Sequence, residues 1–307
     1  MLFSVIICTY NREKFILDSL VSLKNQSLTK DKYEIIIVNN NSTDKTDEIC
    51  RKFVEDYCKE LKIIYVIEVK QGLSFARNRG FQESKGDIIV YIDDDAFATK
   101  DYLKNMIHFF THNPNVSAIG GKVIPVYENN KEEPRWLSKY IWGIVTKVDM
   151  GNKVSEFPDN KYPAGCNMAI KRDVLQSVGL FDTTLGRKGR IGLASEEKDI
   201  FFRMRNVDLH IYYVPDIPVY HNIDNHRLEY DYIKKLCIGI GLSERIRTQK
   251  ISPMELFKKL VEYLLKFIAA LGLSFIYLLK FQFQKAKYII LIRYLILEGF
   301  FKNDYKQ

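Results

Sequence analysis

The chain has 307 residues, 47% hydrophobic and 27% charged, enough for one large α/β domain with an appendage and too apolar for a disordered protein. Its five cysteines (Cys8, Cys50, Cys58, Cys166 and Cys237) are odd in number and form no CxxC pair, which argues against a disulfide framework or a zinc site and fits a reducing cytoplasm. The net charge of +8 sits entirely in the tail: residues 227–307 carry 15 Lys+Arg against 7 Asp+Glu, leaving 31 of each sign from the totals of 46 and 38.

The first segment, Met1–Tyr10, has no basic flank and runs straight into polar residues, so no secretory leader is expected there. Short apolar runs at Ser4–Cys8, Glu34–Val38, Lys62–Ile67 and Asp87–Ile92 predict buried strands. Between them, Arg12–Gln26 places Phe15, Ile16, Leu20 and Leu23 on one helical face. A cap-like Asn-Ser-Thr-Asp opens a second helix over Asp44–Lys59, and Leu73–Ser84 forms a third. Strand–helix alternation at this spacing predicts a parallel sheet with helices on both faces, whose ligands bind beyond the C-terminal strand ends. The polar clusters Thr9-Tyr10-Asn11-Arg12, Asn39-Asn40-Asn41-Ser42 and Asp93-Asp94-Asp95 all fall at such ends. A dinucleotide-binding Rossmann domain is set aside, because the turn after the first strand contains no glycine.

Farther along, Gly120-Gly121 follows another short strand. A loop-rich stretch holds Pro125, Pro134, Trp136 and Trp142, then Pro163–Lys171 and a helix near Asp173–Val178. A helix from about Ser195 carries Glu196, Glu197, Asp199 and Arg203. Leu209–Val214 reads as a strand, and His221 follows it.

Three adjacent carboxylates at Asp93–Asp95 repel one another and need a cation or several donors nearby. At the exit of a hydrophobic strand they form an oxygen-rich site for Mg²⁺ or Mn²⁺. Alternation along the strand sends Asp93 and Asp95 one way and Asp94 the other. The same triplet also reads as an acidic loop or cap before Tyr102. Glu196, Glu197 and Asp199 at a helix start read equally as partners of the helix dipole, with Asp199 and Arg203 as an i, i+4 pair.

The ordered series SVIICTYNRE, EIIIVNNNSTD, GLSFARNRG, GDIIVYIDDDA, AGCNMAIKRDVLQSVGLFD and SEEKDIFFRM resembles the family 2 glycosyltransferases over about residues 3–222. The resemblance implies a GT-A fold, a Rossmann-like mixed sheet with helices on both faces, here followed by C-terminal amphipathic helices. It implies a catalytic domain, taken as 1–226, with a nucleotide-sugar half (1–121) and an acceptor half (122–226); the basic, hydrophobic composition of 227–307 marks that stretch as a separate helical tail.

The activity implied is inverting transfer of a sugar from a nucleotide-diphosphate sugar, foremost a UDP-sugar, to an acceptor hydroxyl. On the donor side it implies Thr9, Tyr10 and Arg12 beside the base, with Asn39 and Asn41 in a second nucleotide loop. The family usually has Asp at the position of Asn39; the amide is donor and acceptor at once, which leaves the base open. Arg77 is implied to reach the base or diphosphate. Asp93–Asp95 match the DxD metal motif, with Asp94 on the donor side and Asp95 the foremost ligand. His221 is a further candidate ligand. Glu197 stands where the family has its catalytic base, with Glu196 as competitor. Trp136 and Asn167 are assigned to the acceptor side.

The tail combines Leu256–Leu279 and Ala286–Phe301, both apolar and punctuated by Lys. From Phe267 to Leu279 only about 13 uncharged residues run together, short of the roughly 20 needed to span a bilayer. The pattern suits helices lying on the inner face of the cell membrane; a hairpin packed on the catalytic domain, an oligomer interface or a hairpin that spans the bilayer fits the same pattern. No nucleic-acid-binding module is visible. The acceptor expected is a carbohydrate or a lipid-linked sugar. The rival functions are a sugar nucleotidyltransferase, whose triphosphate would call for a Gly-rich basic loop in place of Thr9–Arg12, and a catalytically silent sugar-nucleotide-binding subunit.

Overall fold

The computed structural model describes residues 1–188 and 192–302. Strand β1 (Phe3–Thr9) leads through α1 (Ile16–Lys24) to β2 (Tyr33–Asn39), then α2 (Thr46–Tyr57), β3 (Ile63–Ile67), α3 (Leu73–Glu83) and β4 (Ile88–Asp93). These four strands are parallel: β1 pairs with β2 and β4, and β2 with β3. Val5, Ile6 and Ile7 of β1 and Ile35, Ile36 and Ile37 of β2 are fully buried, as unbroken apolar runs in a sheet covered on both faces should be.

The chain then departs from the parallel pattern. After β5 (Ala96–Ala98), α4 (Tyr102–His112) and β6 (Ala118–Tyr127) come β7 (Ser155–Glu156), β8 (Met168–Lys171), α5 (Arg172–Val178), α6 (Glu196–Arg205) and β9 (Ile211–Ile223). Strand β8 pairs antiparallel with both β4 and β6, and β9 pairs antiparallel with β5 and β7. Among the described residues the sheet has nine strands, in the order β3-β2-β1-β4-β8-β6-β9-β5, with β7 on β9. The parallel pairing expected from alternation in the first half holds for β1–β4, and the antiparallel strands of the second half make the whole sheet mixed, as the resemblance implies. Antiparallel strands need no crossover helix, so the strand–helix rhythm read in the first half does not continue.

Two compact units result. The first comprises Met1–Pro125, Val148–Thr184 and Glu196–Asn222; the second comprises Val126–Lys147, Leu185–Ser195 and Ile223–Gln307. The first holds the sheet and two hydrophobic clusters, one on each face, built around Val5, Ile35 and Val90 and around Ile6, Ile36 and Ile89. The second is helical: α7 (Tyr230–Ile251), α8 (Pro253–Leu279) and α9 (Phe283–Phe301) pack with a 3-10 turn at Lys139–Val145. Helix α8 begins with Ser252 accepting from the Glu255 amide at 3.1 Å and Pro253 in its first turn, a strong start signal.

Candidate active site

The ends of β1, β2 and β4 carry the three polar clusters. Asn11 and Asn41 both adopt positive φ, 54° and 62°, a conformation asparagine tolerates better than most residues. The two turns are laced together: the Asn11 amide donates to Ser42 Oγ at 3.1 Å, the Thr43 amide to Asn11 Oδ1 at 2.7 Å, and the Arg12 amide to Thr46 Oγ1 at 2.8 Å. Thr9 is buried, whereas Tyr10 is 40% exposed and Asn41 is exposed.

Asn39 is occupied at both ends. Its Oδ1 accepts from the Ser42 amide at 2.9 Å, while Nδ2 donates to Asp47 Oδ1 at 3.2 Å and to Tyr65 Oη at 2.8 Å. Asp47 in turn binds Arg51 at 2.8 Å. A carboxylate at position 39 would face Asp47, so the amide is what this loop accommodates. Nothing in the local sequence pattern singles out Asp47 or Tyr65: Tyr65 comes to Asn39 through the β2–β3 pairing and Asp47 from the first turn of α2. Asn40 also carries a load: it donates to the Glu68 and Lys70 carbonyls at 2.9 and 2.8 Å and accepts from the Gly72 amide at 2.8 Å. Gly72 has φ 141°, open only to glycine.

The acidic triplet ends β4 at Asp93 and turns at Asp94-Asp95 into β5. One ligand atom each from Asp93, Asp95 and His221 lies within 4.8 Å of the others. His221 enters because β9 pairs Ala96 with His221; its Nε2 stands 3.0 Å from Asp95 Oδ1, and both side chains are nearly inaccessible. Ligand atoms on one octahedral ion with bonds of about 2.1 Å lie up to about 4.2 Å apart. Two carboxylates and an imidazole at this spacing therefore fit a divalent cation after small side-chain rotations. Asp94 is buried, 3.5 Å from Arg12 Nε, and the same guanidinium reaches Asp95 through Nη2 at 3.3 Å. Burial pushes the Asp94 carboxyl up to about 7, against the lowering pull of Arg12.

Arg77 on α3 is 2% exposed. Its guanidinium contacts Glu197 at 3.0 Å, Glu196 at 3.2 Å and Asp93 at 3.6 Å. It lies 5.2 Å from the Phe181 ring centroid and 6.0 Å from that of Tyr91. Burial alone would push the guanidinium down; Glu197, Glu196 and Asp93 hold it well above its ordinary value. Within this unit, the fold thus joins the β4 triplet to the acids at the start of α6 through one cation. Glu196 is 2% exposed at its side chain and Glu197 16%. Gly165 matters here as well, because a Cβ on it would overlap Glu197 Oε1 and Arg77 Nη2.

Asn167 and Trp136 are placed by packing. Asn167 is wholly buried, accepting from Tyr102 Oη at 2.9 Å and donating to the Lys122 and Ile217 carbonyls at 3.1 and 2.9 Å. Trp136 belongs to the second unit, 8% exposed and stacked on Tyr288 at 4.8 Å. Asp199 and Arg203 pair at 2.9 Å, with Arg203 also donating to the Gly179 carbonyl at 2.9 Å and the Leu180 carbonyl at 2.8 Å.

Residues 4–179 match the family model described as glycosyl transferase family 2. A similar curated protein is the glucosyl-dolichyl phosphate glucuronosyltransferase of Haloferax volcanii, 27% identical over 247 residues, 79% of this chain and 76% of the relative. The minor teichoic acid biosynthesis protein GgaB of Bacillus subtilis is 26% identical over 64% of this chain, which spans only 22% of that protein's length. Among solved structures, the mannosyltransferase PcManGT from Pyrobaculum calidifontis, in complex with GDP-Man and Mn²⁺, superposes with a TM-score of 0.60 at 19% identity, covering 97% of this chain and 72% of the other. S. aureus TarS 1–349 in complex with UDP-GlcNAc gives a TM-score of 0.57 at 18% identity, covering all of this chain and 93% of that one.

Proposed function

The chain belongs to glycosyl transferase family 2, and from that premise we propose that Glu197 is the base for metal-assisted, inverting transfer of a sugar from a nucleoside-diphosphate donor to an acceptor hydroxyl. The observation that carries this reading is the Arg77 bridge, which holds Glu197 and Asp93 on one buried guanidinium. Glu197 is favoured over Glu196 because Glu196 is the more deeply buried of the two, and a base needs reach to its substrate.

In this reading Glu197 takes the proton of the acceptor hydroxyl as its oxygen forms a bond to the anomeric carbon. The bond from that carbon to the diphosphate oxygen breaks, its electron pair leaving with the nucleoside diphosphate. Arg77 acts as a positioning residue, fixing the Glu197 carboxylate through their 3.0 Å contact. Asp93, Asp95 and His221 would hold Mn²⁺ or Mg²⁺. Such an ion, when bound, supplies positive charge to the leaving diphosphate. The loops at Thr9–Arg12 and Asn39–Asn41 border the nucleotide.

The catalytic assignment covers 1–226, with the donor in 1–121 and the acceptor in 122–226. For the acceptor we favour a lipid-linked or surface carbohydrate, in line with the dolichyl phosphate and teichoic acid in the names of the relatives. The tail, 227–307, would keep the enzyme at the inner membrane face; helix α8, at 27 residues, is by length and composition alone long and apolar enough to cross a membrane, longer than its uncharged run suggested. The test is release of nucleoside diphosphate from a panel of UDP- and GDP-sugars with lipid extract as acceptor. Turnover of one donor in Mn²⁺, abolished in Glu197→Gln, supports the assignment; turnover unchanged in that variant removes Glu197 from the role.

A further inference from the structure

Helix α8 divides by face. Its inner side packs within the helical unit: Tyr263 meets Phe300 edge-on at 5.5 Å, and Ser274 Oγ donates to the Ala286 carbonyl at 3.0 Å. The outer side carries Phe257, Val261, Leu264, Ile268, Phe275 and Leu279, which are 61, 37, 44, 62, 63 and 65% exposed. At about 100° per residue these six fall within about 60° of one another, a straight stripe along the helix. At the end of the helix, Phe281 and Phe283 are 82 and 61% exposed. A stripe of this length and continuity is not ordinary solvated surface.

The charges say what covers it. From Tyr263 to Leu297 the sequence holds Lys266, Lys280, Lys285, Lys287 and Arg293 and no acidic residue. Lys280 is exposed in the turn between α8 and α9, and Lys287 is exposed near the start of α9. The acids that α8 does contain, Glu255 and Glu262, lie in its N-terminal half on the flank, paired with Lys258 and with Lys259 and Lys266. A second copy packed in parallel would bring like charges together at this end, whereas an anionic surface complements them in any orientation along the helix.

We infer that the Phe257–Leu279 face of α8, together with the Phe281–Phe283 segment, is a lipid-binding surface that lies along an anionic bilayer with Lys280 and the lysines at the start of α9 at the headgroups. The inference rests on the membrane association proposed above and adds which face makes it and which lipid charge it selects. A helix lying in the interface buries one face only, and one face is what the packing leaves open. Lysine stems reach past apolar neighbours to keep their ammonium groups among phosphates.

The experiment is flotation of the full chain with vesicles of phosphatidylcholine alone or phosphatidylcholine with phosphatidylglycerol. We expect binding more than tenfold tighter to the anionic vesicles, as several lysines at about 1 kcal/mol each imply. The triple variant Phe257→Ser/Ile268→Ser/Phe275→Ser should lose binding to both by at least tenfold while keeping its circular dichroism and monomeric sedimentation. Lys280→Glu/Lys285→Glu/Lys287→Glu should erase only the preference for anionic vesicles. Wild type bound to vesicles but unaffected by the serine variant overturns the assignment of the surface, leaving membrane association standing. Wild type bound to neither vesicle overturns both. A dimer in sedimentation that the serine variant dissociates, with vesicle binding unchanged, makes the stripe a contact between copies and equally overturns the proposal.

Discussion

The Arg77 guanidinium lies 3.0 Å from Glu197 and 3.6 Å from Asp93, with 2% of the arginine exposed. One buried cation therefore serves two motifs that stand more than a hundred residues apart, and removing it leaves three carboxylates facing one another. Arg77→Met is predicted to destabilise the protein by about 3–5 kcal/mol, the cost of breaking a buried ion network from one side. Arg77→Lys keeps the charge but not the fork that meets two acids at once, so it should lose less. Urea unfolding of the two variants against wild type checks the order; equal losses would deny the guanidinium its bridging geometry.

Gly165 gives a gentler probe of the same cluster. A methyl group there overlaps the Glu197 carboxylate and the Arg77 terminal nitrogen, so Gly165→Ala must shift the pair. A misplacement of this kind costs about 10²-fold in turnover, whereas overpacking costs about 1–3 kcal/mol in stability. Turnover should fall far more than the melting temperature implies. An alanine variant with wild-type turnover would show that the position of this pair is immaterial to the reaction.

Asn39 and Asp47 should behave as a coupled pair. Asn39→Asp places a second carboxylate about where Nδ2 now stands, 3.2 Å from Asp47, and like charges so close raise each other's pKa. The penalty should grow as pH rises through the carboxylate range and vanish in acid. Adding Asp47→Asn should recover stability, with a coupling of about 0.5–3 kcal/mol in a double-mutant cycle. Additive losses across the cycle would show that the two side chains do not sense each other.

Glu34 supplies a pH dependence far from the chemistry. It is fully buried, and burial works against its ionisation. Lys62, the Ser4 hydroxyl at 2.7 Å and the Lys85 amide at 2.6 Å outweigh that and hold its carboxyl below the ordinary range. Because the folded value is the lower one, its stabilisation is complete above the unfolded pKa of about 4.3 and is lost as pH falls through the folded value. Glu34→Gln should cost about 1–3 kcal/mol at pH 7, and the gap to wild type should narrow below about pH 4. A gap that is constant with pH would mean that charge at this position is irrelevant.

Much of this was legible in the residues. Unbroken runs such as Val5–Ile7 and Ile35–Ile37 can only be buried strands, and polar triplets at their ends mark the open edge of the sheet. The antiparallel half was not legible from alternation, because β5 is three residues long and β8 four, too short to show a period. The pairing of Ala96 with His221 across β5 and β9 brings the histidine to Asp95, a long-range event that no local pattern encodes. Burial was equally invisible: Arg77 lies on the acids, and Asn167 spends its amide on Lys122 and Ile217. Arginine and asparagine look the same in a sequence whether they face a ligand or hold a fold together.

The central claim is that Glu197 does its work as a base beside a cation held by Asp93, Asp95 and His221. The most direct measurement is nucleoside diphosphate release in Mn²⁺ and in EDTA for wild type, Glu197→Gln and Asp95→Asn. Folding is verified by circular dichroism and Mn²⁺ binding is followed separately by calorimetry. The account predicts Mn²⁺-dependent release in wild type, a loss of at least 10²-fold in Glu197→Gln with Mn²⁺ affinity retained, and weakened Mn²⁺ binding in Asp95→Asn. Release that is indifferent to EDTA, or a Glu197→Gln enzyme as fast as wild type, would contradict it.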